Sequence, residues 1–377
     1  MKVAIVHDYI KEYGGAERVL EALTEIYPDA PIYTAFYKKD STAYKHFKDK
    51  KIIASWAQYF PFFAGKLHSP LRFLTPLIWR SFNLSDYDVV ISSASWYITK
   101  GFKKKNTHFI EICYCHTPPR WLYGYNTSIN FQKYAIIRIY ARIVGHFMRL
   151  YDFKQAQKVD FFIANSKEVA GRINKFYRRD SKVIYPPVSL PKSTNIKRED
   201  YYFIVSRIVG GKGLDIAVKA AIKAGFKLKI AGSPAGYYFE HDKLVKNAQG
   251  KVEFLGQVTD EELVKLYKGA KAFLALAQDE DFGITPVEAM LCGTPVIAFN
   301  GGGYKETVID NKTGVLFDDY SKEGLMLALK KFEKTKINSK DCIEQAEKFS
   351  KERVKNEIED FINSRVKNQN AKIQVKS

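Results

Sequence analysis

The segment QDEDFGITPVE, from Gln278 to Glu288, places carboxylates on both sides of a glycine, where a predicted buried strand gives way to a helix. Glu280 lies on the loop and Glu288 in the first turns of the helix. Carboxylates in these positions can accept hydrogen bonds from the hydroxyl groups of a sugar.

The start of the same helix favours an anionic ligand. The amides of Gly283, Ile284 and Thr285 fall in its first turn. Their N–H groups lack intrahelical acceptors, and with the helix dipole they attract an anion such as phosphate. A phosphate beside sugar-binding carboxylates suggests a nucleotide sugar.

Two other interpretations of this segment stay open. Acidic residues beside a helix start often act only as caps. Asp279, Glu280 and Asp281 also form an Asp-x-Asp triplet, which holds a divalent metal in some sugar transferases. Such a site needs oxygen ligands from elsewhere, and none is visible in the sequence, so we expect no metal.

Two basic residues follow another predicted strand. Arg207 and Lys212 flank the glycine-rich turn of SRIVGGKG. A planar guanidinium and a flexible ammonium group at this spacing suit a diphosphate. The spacing of a Walker loop is absent.

The first half of the chain has two further candidate sites at predicted strand ends. Gly14 and Gly15 precede a helix, where glycines let the backbone approach a ligand, although an ordinary turn fits them too. The Gly-x-Gly-x-x-Gly dinucleotide fingerprint is missing. His116 follows the strand Phe109–Cys115, and the prolines after it fix the chain. A functional role is favoured for His116.

Strand-like runs alternate with helical stretches along the chain, which predicts parallel, doubly wound sheets. The predicted strands are Lys2–Val6, Pro31–Phe36, Ile52–Trp56, Asp88–Ser92, Phe109–Cys115, Asp160–Ala164, Tyr202–Ser206, Lys227–Ala231, Val252–Leu255, Ala272–Leu276, Val296–Phe299 and Gly314–Phe317. The prolines of VIYPPV indicate an interdomain linker. We therefore predict an α/β protein with two Rossmann-like domains, 1–186 and 187–350, facing a cleft, and a final segment, 351–377.

Composition narrows the class of protein. The 377 residues are 46% hydrophobic, and four cysteines lack Cys-x-x-Cys spacing, which predicts a globular protein whose cysteines pack in the core. No apolar run reaches the roughly 18–20 residues that span a bilayer, and the first residues resemble a strand and not a signal peptide. A cytoplasmic protein is expected.

The formal net charge of +19 is concentrated in one region: residues 51–150 contain 13 Lys and Arg but 3 Asp and Glu. Nucleic acid and an anionic membrane surface both fit this charge.

Two segments favour the membrane. Tyr59–Phe82 mixes aromatics with Lys66, Arg72 and Arg80, although its aromatics would pack equally well under a long loop. Asn130–Lys158 is a predicted helix in which apolar residues alternate with four basic ones, and a solvated basic helix is the alternative. Its basic residues are Arg138, Arg142, Arg149 and Lys154.

Five features of the chain occur together in a known family. In order, they are Gly14-Gly15, His116-Thr-Pro, Arg207 with Lys212, Glu280-x7-Glu288 and Gly302-Gly303-x-x-Glu306. This set resembles the retaining nucleotide-sugar glycosyltransferases of family four, which have the GT-B fold, and it extends over nearly the whole chain.

The resemblance implies roles for these residues. Arg207 and Lys212 would hold the diphosphate, the amides of 283–285 the distal phosphate, Glu280 the hydroxyls of the donor sugar, and Glu288 the ribose. The family is metal-independent, and no cofactor is implied.

The first domain would also contribute to donor binding. The resemblance implies that Gly15, after Gly14, lies under the diphosphate, and that His116 approaches the sugar and phosphate from the first domain. The family's last helix usually crosses back to that domain, as 351–366 would.

The wording EDFGITPVEAM, CHTPPRWLYGY and HDY…GGAERV resembles the mannosyltransferase branch that builds bacterial surface polysaccharides. It implies GDP-mannose as the donor, a lipid-linked or polysaccharide acceptor and a peripheral place on the inner face of the cell membrane. A UDP-sugar donor is the alternative. The sequence offers no clear nucleophilic carboxylate, so retention by same-face attack is expected.

Two rival functions belong to other classes. An oxidoreductase is disfavoured by the missing dinucleotide fingerprint. A non-catalytic nucleic-acid binder is motivated by the basic region, but under the membrane interpretation no nucleic-acid partner is expected.

Overall fold

The structure is a computed structural model that describes residues 1–104, 107–125, 135–191, 196–233, 245, 248 and 250–374. These residues form two compact units. The first contains the described residues up to 124, residues 135–187 and the helix that begins at Lys351. The second contains the described residues within 188–350.

Seven parallel strands form the sheet of the first unit, in the order β3-β2-β1-β4-β5-β6-β7. They are β1 Val3–His7, β2 Ile32–Thr34, β3 Ile52–Ala54, β4 Val89–Ala94, β5 Ile110–Cys115, β6 Phe161–Ala164 and β7 Ser181–Val183. The strand order reverses between β1 and β4, which is where open α/β sheets bind ligands.

Six parallel strands form the sheet of the second unit, in the order β10-β9-β8-β11-β12-β13. They are β8 Tyr202–Val205, β9 Leu228–Ala231, β10 Val252–Gly256, β11 Ala272–Ala275, β12 Val296–Phe299 and β13 Gly314–Phe317. The order again reverses beside the first strand of the unit, here between β8 and β11.

Helices occupy the connections between these strands. Those of the first unit are α1 Gly15–Ile26, α2 Thr42–Phe47, α3 Thr75–Arg80, α4 Arg120–Tyr123, α5 Ala135–Ala156 and α6 Lys167–Tyr177. Those of the second are α7 Leu214–Ala224, α8 Asp260–Gly269, α9 Ile284–Leu291, α10 Tyr304–Thr307, α11 Lys322–Lys334 and α12 Ser339–Glu347. The last helix, α13 Lys351–Gln374, belongs to the first unit.

Strand β1 shows why these strands read as continuous apolar runs. Val3 and Ile5 pack in a cluster with residues of α1 and α13, whereas Ala4 and Val6 point to the opposite face and pack with Trp79 of α3. Both faces of the sheet are therefore covered, so neither set of alternating side chains can be polar.

Helix α7 covers the second sheet with a single apolar face. Its buried residues Leu214, Ala217, Val218 and Ala221 recur at the spacing of helical turns. Gly213 and Gly225, both in the left-handed region, precede and follow the helix. The glycines thus fix where the helix begins and ends.

The prediction of two parallel α/β sheets is confirmed, and all twelve predicted strands are present. Strand β7 was missed. It is a three-residue edge strand that is only partly buried, so its sequence lacks an apolar pattern. Cys113 and Cys115 of β5 pack in the core, as predicted.

Candidate active site

The loops after β8 and β11 lie at the carboxyl edge of the second sheet, on either side of the point where its strand order reverses. Neighbouring strand ends bring their following loops together. Residues 206–213 and 276–283 form these two loops, and they contain Arg207, Lys212, Glu280 and Gly283.

Two of the predicted ligand-binding residues contact each other. Lys212 Nζ donates to Glu280 Oε2 at 2.9 Å, and the side chains are 28% and 22% exposed. An ion pair this open to solvent contributes at most about 1 kcal/mol to stability. Both groups are therefore available to a ligand. Arg207, on the same loop as Lys212, is exposed.

Gly213 fixes the position of the Lys212 loop. Its φ is +69°, and a Cβ at this position would lie 2.6 Å from both the Cβ and the carbonyl oxygen of Leu276. A side chain would therefore push the loop away from the end of β11. The close packing of backbone keeps Lys212 near the Glu280 loop.

The N-terminus of α9 lies at the end of the Glu280 loop. Its N-cap residue, Gly283, has φ +90°, and a Cβ there would lie 2.7 Å from the ring of Tyr304. Ile284 and Thr285 begin the helix and are half-buried. Since Gly283 has no side chain to cap the helix, the first-turn N–H groups suit an anion.

The glycines at 301–303 pack against this loop. Gly303 N donates to the Glu280 carbonyl oxygen at 2.9 Å, and a Cβ on Gly302, whose φ is +52°, would lie 2.2 Å from that same oxygen. These glycines allow close approach of two backbone segments. Their backbone packs directly against the backbone of the Glu280 loop and supports it.

Glu288 lies in the interior. It is 2% exposed, and its Oε2 accepts a hydrogen bond of 2.8 Å from the Tyr267 hydroxyl of α8. The structure therefore groups Arg207, Lys212 and Glu280 on the two loops and places Glu288 one helical turn into α9. A role for Glu288 with ribose stays a prediction.

The Asp-x-Asp triplet is not part of a metal cluster in the part of the chain that the structure describes. Within those ranges, no group of three or more His, Cys, Asp or Glu side chains is arranged to hold a metal ion.

His116 ends a row of buried polar side chains at the carboxyl edge of the first sheet. Its Nε2 lies 2.8 Å from Ser93 Oγ, and Ser93 Oγ lies 2.9 Å from His7 Nδ1. His7 Nε2 lies 3.5 Å from Glu17 Oε1. Three strands, β1, β4 and β5, and helix α1 thus contribute to one row, which we call the histidine row.

Strand register explains the histidine row. In the parallel pairing of β1 with β4, His7 is opposite Ser93, and in the pairing of β4 with β5, Ser93 is opposite Tyr114. Residues paired in this way point to the same face. His116 lies two residues beyond Tyr114, so it returns to that face.

Burial controls the charge of His116. Its removal from water lowers its pKa to about 3, and the nearby imidazole of His7 acts in the same direction. The imidazole of His116 is therefore neutral near pH 7. It can donate or accept a hydrogen bond without adding charge to the site.

The glycines at 14 and 15 begin helix α1. Gly14 is its N-cap, with an extended backbone, and Gly14 N donates to Glu17 Oε2 at 2.9 Å. This is the reach-back half of a capping box. Because Glu17 already binds the Gly14 amide, a ligand at this turn would meet Gly15 and not Gly14 N–H. Contact between Gly15 and a diphosphate stays a prediction.

Sequence reasoning missed three members of the histidine row, His7, Glu17 and Ser93. It also missed Asp8, whose carboxylate accepts hydrogen bonds from Ser95 Oγ at 2.8 Å and from Trp96 N at 2.5 Å. Asp8 so holds the loop after β4. The available signal was position, since His7 and Asp8 end the first strand and Ser93 lies near the end of β4.

The two segments predicted to meet lipid contact each other. The Tyr140 hydroxyl of α5 donates to the Pro70 carbonyl oxygen at 2.5 Å, and the rings of Tyr140 and Phe73 are 6.5 Å apart. We call the exposed apolar side chains of these two segments the apolar face. Its most exposed side chains are Tyr59 at 85%, Phe62 at 81%, Phe147 at 65%, Ile139 at 60% and Ile143 at 55%.

The packing interpretation of 59–82 holds for some of its residues, and membrane contact of the others stays a prediction. Phe63, Ile78 and Trp79 are buried in the core of the first unit, while Tyr59 and Phe62 are exposed. Arg72 does not act as a surface cation, since its guanidinium lies 5.1 and 4.7 Å from the ring centres of Trp96 and Trp121. Its burial lowers its pKa.

On α5, Arg138 and Arg142 are exposed beside the apolar residues. Residues 130–134 of the predicted helix lie outside the described residues. Within the described ranges, no helix is both long and apolar enough to cross a bilayer.

Comparison with known proteins finds a family model that matches the second unit. Residues 189–349 match the family model described as "Glycosyl transferases group 1". A glycosyltransferase of Methanocaldococcus jannaschii, itself uncharacterized, is 30% identical over 210 residues, which are 54% of this chain and 59% of that protein. D-inositol 3-phosphate glycosyltransferase of Mycolicibacterium smegmatis is 31% identical over 185 residues, which are 43% of each chain. This chain thus spans about half the length of the curated relatives it matches.

Solved structures show that the fold is GT-B. The Anabaena protein HepE, crystallised with UDP and glucose, has a TM-score of 0.72 at 18% identity, with 97% of this chain and 100% of that chain covered. The lipopolysaccharide outer core galactosyltransferase WaaB has a TM-score of 0.66 at 17% identity, with the same coverage. At these identities the likeness concerns the fold.

Proposed function

We propose that this chain, with its GT-B fold and its match to the group 1 glycosyl transferases over 189–349, is a retaining glycosyltransferase that uses a nucleotide sugar. The observation that carries the proposal is the contact between Lys212 and Glu280 beside the N-terminus of α9. It joins a cation and a carboxylate beside a helix N-terminus, at the edge where ligands of such sheets bind.

The mechanism follows from the charges that develop. As the bond between the sugar and the phosphate breaks, the departing diphosphate gains negative charge and the sugar gains positive charge. Lys212, Arg207 and the first-turn amides of α9 stabilise the diphosphate, because donors and cations placed beside a departing anion stabilise the charge that develops on it. Glu280 accepts hydrogen bonds from the hydroxyls of the sugar.

Without a covalent sugar–protein intermediate, retention requires the acceptor to attack from the face that the phosphate leaves. The leaving phosphate takes the proton of the acceptor hydroxyl, so no protein nucleophile is needed. His116, neutral and buried, is assigned a hydrogen bond to the donor sugar. Detection of a covalent sugar–protein adduct by mass spectrometry would contradict this mechanism.

The proposed donor is GDP-mannose, and its support is the resemblance of EDFGITPVEAM and CHTPPRWLYGY to mannosyltransferases of surface-polysaccharide assembly. A UDP-sugar is the alternative, favoured by the similarity in fold to HepE, which was crystallised with UDP. The proposed acceptor is lipid-linked or a polysaccharide.

A thermal-shift screen separates these donors. A ligand that binds only the folded protein increases its free energy of unfolding by RT ln(1 + [L]/Kd) and so raises Tm, which lets each nucleotide sugar be ranked at a fixed concentration. We expect the largest shift with GDP-mannose, and little shift with it for the variant Lys212→Ala. Lys219→Ala, on exposed α7 surface, is the matched control. No shift with any nucleotide sugar would contradict the proposal.

A peripheral membrane location on the cytoplasmic side is the second part of the proposal. The apolar face and the exposed Arg138 and Arg142 combine the two attractions that hold a protein on an anionic bilayer. Each basic residue near such a surface contributes about 1 kcal/mol. The double variant Arg138→Ala/Arg142→Ala should therefore bind phosphatidylserine vesicles about tenfold or more weakly in sedimentation assays.

A matched control for the vesicle assay is Arg353→Ala/Lys355→Ala on α13, which removes the same charge away from the apolar face. Equal loss in both variants would indicate that only net charge matters. If the basic surface instead served nucleic acid, the same residues would give tight, salt-sensitive binding of DNA or RNA without transfer from nucleotide sugars.

A further inference from the structure

The histidine row contains groups that the proposed mechanism does not use. Glu17, His7 and Ser93 are buried, with exposed fractions of 9%, 1% and 0%, and each is within contact distance of the next. His116 terminates the row at Ser93 and is 7% exposed. A row of polar groups in the interior must have matched donors and acceptors, since an unmatched one costs about 1–3 kcal/mol.

The serine hydroxyl makes the row directional. It has one hydrogen, so it can donate to only one imidazole nitrogen and must accept from the other. The distances of 2.9 Å to His7 Nδ1 and 2.8 Å to His116 Nε2 are both those of good hydrogen bonds. The state of one histidine therefore determines the state of the other.

Glu17 sets the direction. Its Oε1 faces His7 Nε2 at 3.5 Å, which is longer than a usual hydrogen bond but favours a hydrogen on that nitrogen. A His7 with a single ring hydrogen then has a bare Nδ1, which accepts from Ser93. The serine oxygen in turn accepts from Nε2–H of His116, and His116 Nδ1 is left bare.

We propose that Glu17, His7 and Ser93 are positioning residues that hold His116 as its Nε2–H tautomer, so that Nδ1 accepts a hydrogen bond from a hydroxyl of the donor sugar. The tautomer follows from the row itself, whereas the contact with sugar rests on the proposed function. A hydroxyl-bearing ligand is the chemical class that a bare imidazole nitrogen recognises.

Glu17→Gln reverses every hydrogen bond in the row. The Gly14 amide, 2.9 Å from Glu17 Oε2, requires an oxygen, so the glutamine would keep its oxygen there and turn its NH2 group to His7 Nε2. His7 would then carry its hydrogen on Nδ1 and donate to Ser93. Ser93 would donate to His116 Nε2, and His116 would become the Nδ1–H tautomer.

The experiment is nitrogen-15 NMR of the full-length protein labelled at histidine, because imidazole nitrogens with and without hydrogen have well-separated chemical shifts. Signals are assigned by their loss in His7→Gln and His116→Gln. We expect Nε2–H for both histidines in the wild type and Nδ1–H for both in Glu17→Gln. The control Glu21→Gln removes the same charge from α1, outside the row, and should change neither.

Turnover of the donor tests the role of the tautomer. Partners that orient a metal-binding histidine contribute about 10- to 100-fold. We expect a similar factor here, so Glu17→Gln and Ser93→Ala should lower kcat by about 10- to 100-fold with a smaller change in KM. Ser92→Ala, the next residue on β4, is the control for loss of a buried hydroxyl. Ser93→Thr keeps the hydroxyl group, so His116 in this variant should show the same Nε2–H signal as in the wild type.

Two results would overturn the proposal. An unchanged His116 tautomer in Glu17→Gln would show that the row does not set it. A reversed tautomer with unchanged kcat would show that the tautomer has no part in transfer. The NMR measurement needs no donor, so it decides the tautomer even if the protein transfers no sugar from any nucleotide.

Discussion

The carboxyl edges of the two sheets have the same strand arrangement around their switch points, but they are lined by opposite kinds of group. In the second sheet, the loops after β8 and β11 present a charged pair, Lys212 and Glu280, that is more than a fifth exposed. In the first sheet, the ends of β1, β4 and β5 present His7, Ser93 and His116, all nearly buried.

The two edges suit different kinds of chemical group. A diphosphate is recognised by cations and amides that remain accessible to solvent. Removing water from these groups on binding costs little free energy. A sugar is neutral, and its hydroxyls are distinguished by donors and acceptors of fixed direction. One topology therefore supports recognition by charge at one edge and by hydrogen-bond direction at the other.

The largest expected effect comes from removing a cation from the charged edge, the carboxyl edge of the second sheet with Lys212 and Glu280. Lys212→Ala and Arg207→Ala should each reduce kcat for sugar transfer by about 10²–10³, since each removes a preorganised partner of the leaving group. Because both residues are at least partly exposed, Tm should change little. Steady-state kinetics with thermal denaturation tests both points, with Lys219→Ala as the control; a large fall in Tm would contradict the assignment.

The next effect tests how the charged edge is held. Gly302→Ala places a methyl group 2.2 Å from the Glu280 carbonyl oxygen at a φ of +52°. The strain should lower the free energy of unfolding by about 1–3 kcal/mol, and donor affinity should fall with it as the Glu280 loop moves. Gly210→Ala, where a Cβ would meet nothing within 4 Å, should be nearly silent in chemical denaturation.

Stability at low pH tests the buried edge, the carboxyl edge of the first sheet with His7, Ser93 and His116. The pKa of His116 is lowered to about 3 in the folded protein from an ordinary value of 6.5, so the unfolded chain takes up a proton that the folded chain does not. The folded protein therefore loses free energy of unfolding as the pH falls from 6.5 towards 3, at a slope of up to about 1.4 kcal/mol per pH unit. Above pH 6.5 His116 causes no such loss. His116→Gln should flatten urea-derived stability curves over this window.

The control for the acid experiment is His108→Gln, which changes an exposed histidine of the first unit. Its stability curve should keep the wild-type slope between pH 6.5 and 3. The same slope in His116→Gln would show that other groups dominate.

The smallest expected effect is a difference in salt sensitivity between the carboxyl edges of the two sheets. Raising the ionic strength to 1 M shortens the Debye length to about 3 Å, so affinity for a nucleoside diphosphate should fall several-fold by isothermal titration calorimetry. The NMR signals of the histidine row should not change, because its groups are shielded from ions. If the affinity and the NMR signals responded equally to salt, the distinction between a charged edge and a buried edge would be wrong.

The sequence predicted much of this because strands buried on both faces are visibly apolar and because loops at their carboxyl ends are where ligands bind. Lys212 and Glu280 were each identified in this way. Their contact was not, since it joins residues 68 positions apart and depends on β8 lying beside β11.

The histidine row was harder to predict. His7 and Ser93 are 86 positions apart, and Ser93 and His116 are 23 apart. Only the spatial order β1-β4-β5 brings them into line. Likewise, nothing in the sequence indicated that 59–82 and 130–158 contact each other, whereas the hydrogen bond between Tyr140 and Pro70 joins the two segments.

The pairing of His7 with Ser93 across β1 and β4 has a practical consequence for engineering. Replacing the connections after β2 and β6 would leave both strand ends, and with them the positions of His7 and Ser93, in place. Inserting one residue within β4 would instead turn Ser93 to the opposite face of the sheet.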